Sequence, residues 1–172
     1  RVRRDRGGAD RSVQVIAALL ASARLCGALV SLYGPEVGDA RACRAGVIAV
    51  AVADEWAPEL VAAIAYGESR CDPRVVNPRT KVWGAMQVST RARDRGEWAG
   101  YRAGVAKLRD ARAYCHRRGD VRALCVLAGY RSGPAGVRGR WYRGPRAVLR
   151  RAALIHRAAT RQPAHLRDHR RA

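Results

Sequence analysis

The sequence predicts a single all-α domain of about six to eight helices. Apolar residues recur at helical spacing along most of the chain, and no run alternates as a strand would. The length of 172 residues, with 48% hydrophobic residues, suits one buried core better than two. We therefore expect a helical core at 41–144, between a basic N-terminal extension at 1–40 and a basic C-terminal helix and mobile tail at 145–172.

Each helix is predicted from its own pattern of apolar residues and breakers. Residues 41–54 are apolar on nearly every side, as in a buried helix, and Pro58 suits the first turn of the next helix. Two prolines and an asparagine indicate a loop over 71–82. The further predicted helices cover 83–94, a longer segment opening at Gly100, 121–130 and 146–160.

The N-terminal extension allows two interpretations. Residues 1–12 are rich in arginine and glycine and predict disorder, whereas 13–33 are apolar and contain Ala21-Ser22-Ala23. A basic start, a short apolar run and an Ala-x-Ala site are typical of a secretory signal. The alternative is an N-terminal helix that packs on the domain. Arg24 argues against a stable membrane span, and residues 34–39 predict a turn-rich linker.

The charge and the cysteines narrow the classes of partner. A net charge of +20 predicts attraction to polyanions such as nucleic acid, anionic wall polymer or an acidic membrane surface. The five cysteines lack Cys-x-x-Cys spacing, and no histidine stands near them at zinc-finger spacing, so we predict no metal site and no cofactor. Cys115 with Cys125 and Cys26 with Cys43 are candidate disulfides, and buried free thiols are the alternative.

Glu68 is the candidate catalytic residue. It shares one helical face with Val61, Ile64 and Ala65, where a carboxylate is partly desolvated. Desolvation favours the protonated form of a carboxylic acid, and a protonated acid can donate its proton to a leaving group. A partly exposed carboxylate at a helix end is the alternative interpretation.

Two further motifs follow Glu68-Ser69 along the chain. They are Trp83-Gly84-Ala85-Met86-Gln87-Val88 and Leu127-Ala128-Gly129-Tyr130-Arg131-Ser132-Gly133-Pro134. A Glu-Ser at a helix end, a Gly-x-Met-Gln and a Tyr-x-x-Gly, in this order and spacing, resemble the lytic transglycosylase family, whose domain is goose-type-lysozyme-like. The resemblance covers roughly residues 44 to 140.

The resemblance implies a reaction on peptidoglycan. Glu68 would protonate the β-1,4 glycosidic oxygen between N-acetylmuramic acid (MurNAc) and N-acetylglucosamine (GlcNAc), and the muramic C6 hydroxyl would close on C1 to give 1,6-anhydroMurNAc. This chemistry needs one acid, whereas ordinary glycoside hydrolysis uses two carboxylates. Asp72 is the nearest other acid, and its place in Cys71-Asp72-Pro73 predicts a turn. A muramidase on the same fold stays open.

The resemblance also assigns substrate-binding roles. Gln87 would hydrogen-bond the substrate and Met86 would pack beside the sugar groove, on a turn that begins at Gly84. Ser69 would hydrogen-bond locally at the helix end, while the hydroxyl of Tyr130 would hold Glu68 in place. Trp83 is a candidate for stacking on a sugar face, and Trp141 and Tyr142 would do likewise or anchor the basic helix.

One departure from the family bears on whether the chain is an enzyme or a non-catalytic protein. The family has Tyr-Asn where this chain has Tyr130-Arg131, and an arginine pointing into the groove would favour the charged carboxylate and weaken the acid. The rival is a non-catalytic basic protein that binds nucleic acid or belongs to a virion. The enzyme is expected to be an extracytoplasmic monomer acting on glycan strands, in the periplasm or wall or delivered there by a secretion system or phage.

Overall fold

The computed structural model describes residues 7–89, 96–138 and 143–161. That part of the chain is mostly helical, which confirms the predicted all-α class, and it adds one very small antiparallel sheet. The helices are α1 (Gly7–Val37), α2 (Asp39–Val52), α3 (Pro58–Ser69), α4 (Gly96–Arg117), α5 (Ala123–Arg138) and α6 (Arg143–Thr160). The strands are β1 (Val76–Asn77), β2 (Val82–Trp83) and β3 (Val88–Ser89), in the order β1-β2-β3.

Helix α3 is the centre of the core. Every residue from Val61 to Tyr66 is buried, because this helix is apolar on all sides and has α2 and α6 as neighbours. Pro58 stands in its first turn, as predicted. Helices α4 and α5 pack against each other at Ala111 and Gly129, where an added Cβ would meet the Ala111 Cβ at 3.2 Å.

Both candidate disulfides form. The Cys26–Cys43 bond joins α1 to α2, and the Cys115–Cys125 bond closes the turn between α4 and α5. Cys71 is the free thiol, and it is buried. These links fix the two helix pairs that contribute most of the packing on either side of α3.

The region between α3 and α4 differs from its prediction. A helix over 83–94 is wrong for the described residues, because Val82–Trp83 and Val88–Ser89 pair as antiparallel strands. Between them lies a turn with φ +79° at Gly84 and +46° at Gln87. Two positive φ values within four residues are incompatible with a right-handed helix.

The boundaries around α1 also need correction. The predicted linker over 34–39 is absent, since α1 runs through Pro35 to Val37 and only Gly38 (φ +86°) separates it from α2. The predicted disorder of residues 1–12 is wrong from Gly7 onward, where α1 begins. Leu25 and Leu29 of α1 and Ile155 of α6 join the same core as α3, so the core extends beyond residues 41–144 on both sides.

The remaining helices keep their predicted positions with shifted ends. Helix α4 begins at Gly96, four residues before the predicted start at Gly100. Helix α5 continues past Tyr130 to Arg138, with a kink at Gly133, whose φ of 60° and ψ of −158° only glycine adopts readily. The predicted mobile tail from Gln162 lies outside the described residues.

Candidate active site at the end of helix α3

The C-terminal end of α3 is closed by two successive left-handed residues. Arg70 and Cys71 have φ of 58° and 59°, and their backbone N–H groups donate to Tyr66 O (2.9 Å) and Ala65 O (3.2 Å). The bond from Arg70 to Tyr66 is the 5→1 bond of an αL C-cap, which normally uses glycine at the position of Arg70. Two non-glycine residues with positive φ store backbone strain next to Glu68, a feature that is frequent at functional sites.

Glu68 is half-buried in the last turn of α3. Its carboxylate accepts no hydrogen bond and forms no ion pair with any residue in the described ranges. The ammonium of Lys107 and the hydroxyl of Tyr130 are its electrostatic neighbours. A half-buried carboxylate without a direct partner is free to bind one from outside.

Ser69 ties the end of α3 to the Gly84–Gln87 turn. Its Oγ lies 2.9 Å from Ala85 O and 3.2 Å from Ala65 O, and it accepts the backbone N–H of Asp72 at 3.0 Å. The predicted local hydrogen bond at the helix end is therefore present. The contact with Ala85 O adds a link across 16 residues of chain that holds the first two motifs together.

Gln87 holds its own turn rather than presenting its amide nitrogen to solvent. The Nε2 group donates to Gly84 O at 3.0 Å and Val75 O at 3.2 Å, and Gly84 N donates to Val75 O at 2.8 Å. The Oε1 atom accepts no hydrogen bond from a residue within the described ranges. The predicted contact between Gln87 and substrate is therefore confined to Oε1 in this conformation.

Met86 and Trp83 are both buried, which limits the surface that either side chain offers to a sugar. Met86 is 0% exposed and packs so closely on Gly104 of α4 that a Cβ there would overlap its sulfur. Trp83 is 7% exposed and covers Gly100, which leaves little ring surface for a sugar to stack on. Both side chains pack on α4, Trp83 at Gly100 and Met86 at Gly104.

Tyr130 joins the third motif to the second. Its hydroxyl donates to Met86 O at 2.5 Å, so the predicted direct hydrogen bond to Glu68 is not formed. Burial raises the pKa of Tyr130 above its ordinary value, and the nearby charge of Glu68 raises it further. Tyr130 thus binds the Met86 backbone, and its interaction with Glu68 is electrostatic.

Lys107 is a component of the site that sequence patterns did not single out. Its ammonium lies 4.7 Å from the centroid of the Tyr130 ring, a cation–π distance. Burial lowers the pKa of Lys107, while the charge of Glu68 acts in the opposite direction. The available signal was compositional: Lys107 is one of two lysines in a chain with 34 Lys and Arg residues.

Lys107 also lines a cavity of about 310 Å³ between α4 and α5. Asp110, Tyr114, Gly133 and Pro134 line it as well, and Glu68 does not. The kink at Gly133 turns the end of α5 beside this cavity. An ammonium there, close to Glu68, is suited to binding an anionic group of a ligand.

Arg131 is exposed and extends along Gly144 at the start of α6. It makes no ion pair with Glu68, so the arrangement expected of a filled, non-catalytic groove does not occur. Asp72 accepts the N–H of Arg74 at 2.8 Å and pairs with Arg41 at 3.4 Å, which agrees with its predicted turn role. Trp141 and Tyr142 lie outside the described residues.

Comparisons of the chain with protein-family models, with curated proteins and with solved structures find no match. The functional argument therefore depends on the site alone. Its central feature is the junction of Glu68-Ser69, the Gly84–Gln87 turn and Tyr130.

Proposed function

We propose that this protein is a peptidoglycan lytic transglycosylase with Glu68 as its general acid and base. The observation that carries the proposal is that hydrogen bonds join three motifs distant in sequence at the Gly84–Gln87 turn, next to the residue that precedes Ser69. That residue is Glu68, whose half-buried carboxylate has no direct partner in the described part of the chain. Ser69 Oγ and Tyr130 Oη both bond to backbone carbonyls of the same turn, at Ala85 and Met86.

The reaction follows from a single carboxyl group. Protonated Glu68 gives its proton to the glycosidic oxygen as the bond between that oxygen and C1 of MurNAc breaks. The resulting carboxylate then takes the proton of the C6 hydroxyl as its oxygen closes on C1. The products are a GlcNAc end bearing the released hydroxyl and a 1,6-anhydroMurNAc end, and Glu68 is again protonated.

The other carboxylates near the end of α3 are committed to arginines. Asp72 pairs with Arg41 (3.4 Å), and Glu97 with Arg44 (3.6 Å). Glu36 lies 3.6 Å from the Arg70 guanidinium. This pairing favours the single-acid reaction over a muramidase, because hydrolysis requires a second carboxylate to act on water or on C1. Asp110, which lines the cavity beside Lys107, is the acid to test for that role.

The chemistry of the whole chain suits this substrate and an extracytoplasmic location. A charge of +20 attracts the carboxylates carried by peptidoglycan, and Lys107 supplies a cation next to the site. Two disulfides are typical of proteins that fold in oxidising compartments. A lysozyme-like groove over Glu68 and action as a monomer belong to the same proposal.

Mass spectrometry of purified peptidoglycan after digestion tests the proposal. We expect fragments ending in 1,6-anhydroMurNAc from the native protein and from Asp110→Asn, and none from Glu68→Gln. Ordinary reducing ends, lost in Asp110→Asn, would identify a muramidase instead. Cleavage that persists in Glu68→Gln would refute the assignment of the acid.

A basic binding protein is the second candidate, favoured by the exposed arginines of α6, including Arg146, Arg150 and Arg157. Such a protein would bind nucleic acid with an affinity that falls steeply with salt. Measured binding to a duplex between 50 and 200 mM salt, with no cleavage of peptidoglycan, would replace the enzymatic proposal. The absence of an ion pair between Glu68 and Arg131 favours the enzyme.

A further inference from the structure

Helix α1 consists of two halves with opposite surroundings. From Val13 to Arg24 its side chains are exposed apart from the half-buried Ser22, and Val13 and Leu19 are each 65% exposed. From Leu25 onward the helix enters the core, with Leu25 at 3% and Leu29 at 1%. Large apolar residues exposed over eleven positions are costly in water, so this half is built for a different environment.

The boundary between the two halves coincides with Ala21-Ser22-Ala23. Small residues at the first and third positions before a cut are what signal peptidase recognises, and here the last of them directly precedes Arg24. The apolar segment 13–23 has a length within the 7–15 residues of a signal core. Arg1, Arg3, Arg4 and Arg6 precede it and provide the basic flank.

The exposed half is too short to be a stable span. Val13–Val37 is long and apolar enough to cross a membrane by composition, but its second half is already committed to the core. The uncommitted residues 13–23 cover about 16 Å as a helix, roughly half of a 30 Å hydrocarbon layer. Inserting the whole segment would extract Leu25 and Leu29 from the core and pull on the Cys26–Cys43 bond.

We propose that a signal peptidase cleaves this chain between Ala23 and Arg24 during export. Water adds across that peptide bond, leaving a carboxylate on Ala23 and an amine on Arg24. The mature chain keeps Leu25, Leu29 and Cys26, and therefore the complete described core and both disulfides. This goes beyond the proposed enzymatic activity and does not depend on it.

N-terminal sequencing and intact mass of the full chain, expressed in an exporting bacterium with a C-terminal tag, test the cleavage. We expect Arg24 at the N-terminus of the exported protein. Ala23→Tyr should block processing, whereas the matched variant Ser22→Tyr should not, because the middle position is not recognised. A different N-terminus, or an uncut chain in the soluble or membrane fraction, would overturn the proposal.

A deletion separates a leader from a structural helix. Removing residues 1–23 should leave the urea midpoint of unfolding unchanged, since none of those side chains in the described range is part of the core. Removing residues 1–29 is the control, and it should lower the midpoint because Leu25, Leu29 and the Cys26–Cys43 bond are lost. An equal loss in both deletions would show that residues 13–23 stabilise the fold and would refute a leader.

Discussion

Two sets of residues, each with one glutamate, one tyrosine and one cation, lie at the C-terminal end of α3, and their hydrogen bonds differ. The closed set is Glu36, Tyr66 and Arg70: the Tyr66 hydroxyl donates to Glu36 at 2.5 Å, and the Arg70 guanidinium lies 3.6 Å from the same carboxylate. The open set is Glu68, Tyr130 and Lys107. There the tyrosine hydroxyl is bound to Met86 O and the carboxylate has no direct partner among the described residues.

This difference in bonding indicates that the closed set is a structural cluster and that the open set is the candidate site. Tyr33 stacks on Tyr66 with ring centroids 3.8 Å apart. The Arg70 guanidinium also lies over the Tyr66 ring, 4.5 Å from its centroid. The closed set therefore joins α1 to α3. In the open set every group except the carboxylate is positioned by the fold. We therefore expect an external partner to bind at Glu68 and not at Glu36.

Exchange of each glutamate for glutamine should give the largest contrast. Glu68→Gln should lower the transglycosylase rate at least about 100-fold, the usual contribution of a general acid. Its free energy of unfolding should change by less than about 0.5 kcal/mol, because no bonded partner is lost. Muropeptide release and urea unfolding measure the two effects.

Glu36→Gln is the matched control with the opposite pattern. It weakens a charged hydrogen bond, so we expect a stability loss of about 1 kcal/mol with activity within about twofold of the native protein. A loss of activity in Glu36→Gln equal to that in Glu68→Gln would show that the two sets act as one unit and end the distinction.

The tyrosines of the two sets, Tyr130 and Tyr66, should differ in their effect on the rate but not in their effect on stability. Tyr130→Phe leaves the buried Met86 O without its donor, which costs about 1–3 kcal/mol, and it frees the turn that positions the site. We expect a fall in rate of about 10- to 100-fold from misplacement. Tyr66→Phe should lose similar stability with little change in rate, as measured by the same two assays.

Lys107 should govern the pH dependence of the reaction. Burial lowers the pKa of Lys107, so its ammonium is lost at a lower pH than that of an exposed lysine. Lys107→Met should therefore remove the part of the alkaline limb of the pH–rate profile that this loss produces. Arg70→Met, the matched change in the closed set, should leave the profile in place and cost about 0.5–1 kcal/mol of stability. An unchanged profile in Lys107→Met would mean that the ammonium does not act on the acid.

The smallest expected effect concerns stability at alkaline pH. Burial and the hydrogen bond to Glu36 raise the pKa of Tyr66 to about 12. The native state therefore holds this proton more tightly than the unfolded chain, so the contribution is complete below pH 10 and is lost as pH rises towards 12. The unfolding free energy of Tyr66→Phe should fall less steeply over that interval than that of Tyr114→Phe, whose residue belongs to neither set.

Much of the fold follows from local sequence pattern. The helices over 41–54 and 58–69 were predicted nearly to their ends, because continuous apolar faces and Pro58 act within a few residues. The helix predicted over 83–94 was wrong in its described part, residues 83–89, because Gly84 and Gln87 take positive φ. That conformation is held by hydrogen bonds from the Gln87 amide to Gly84 O and Val75 O, which periodicity does not encode.

The candidate site divides in the same way. The sequence by itself made Glu68 and the motifs around Gln87 and Tyr130 candidates, since residue type and order carry that information. It also named the two cysteine pairs that form disulfides, with free thiols as the alternative. Only the tertiary structure brought Lys107 to Tyr130 and buried Met86 and Trp83. It also satisfied Glu36 while leaving Glu68 without a partner. These outcomes depend on how helices pack between parts of the chain that are distant in sequence, and no local pattern specifies that packing.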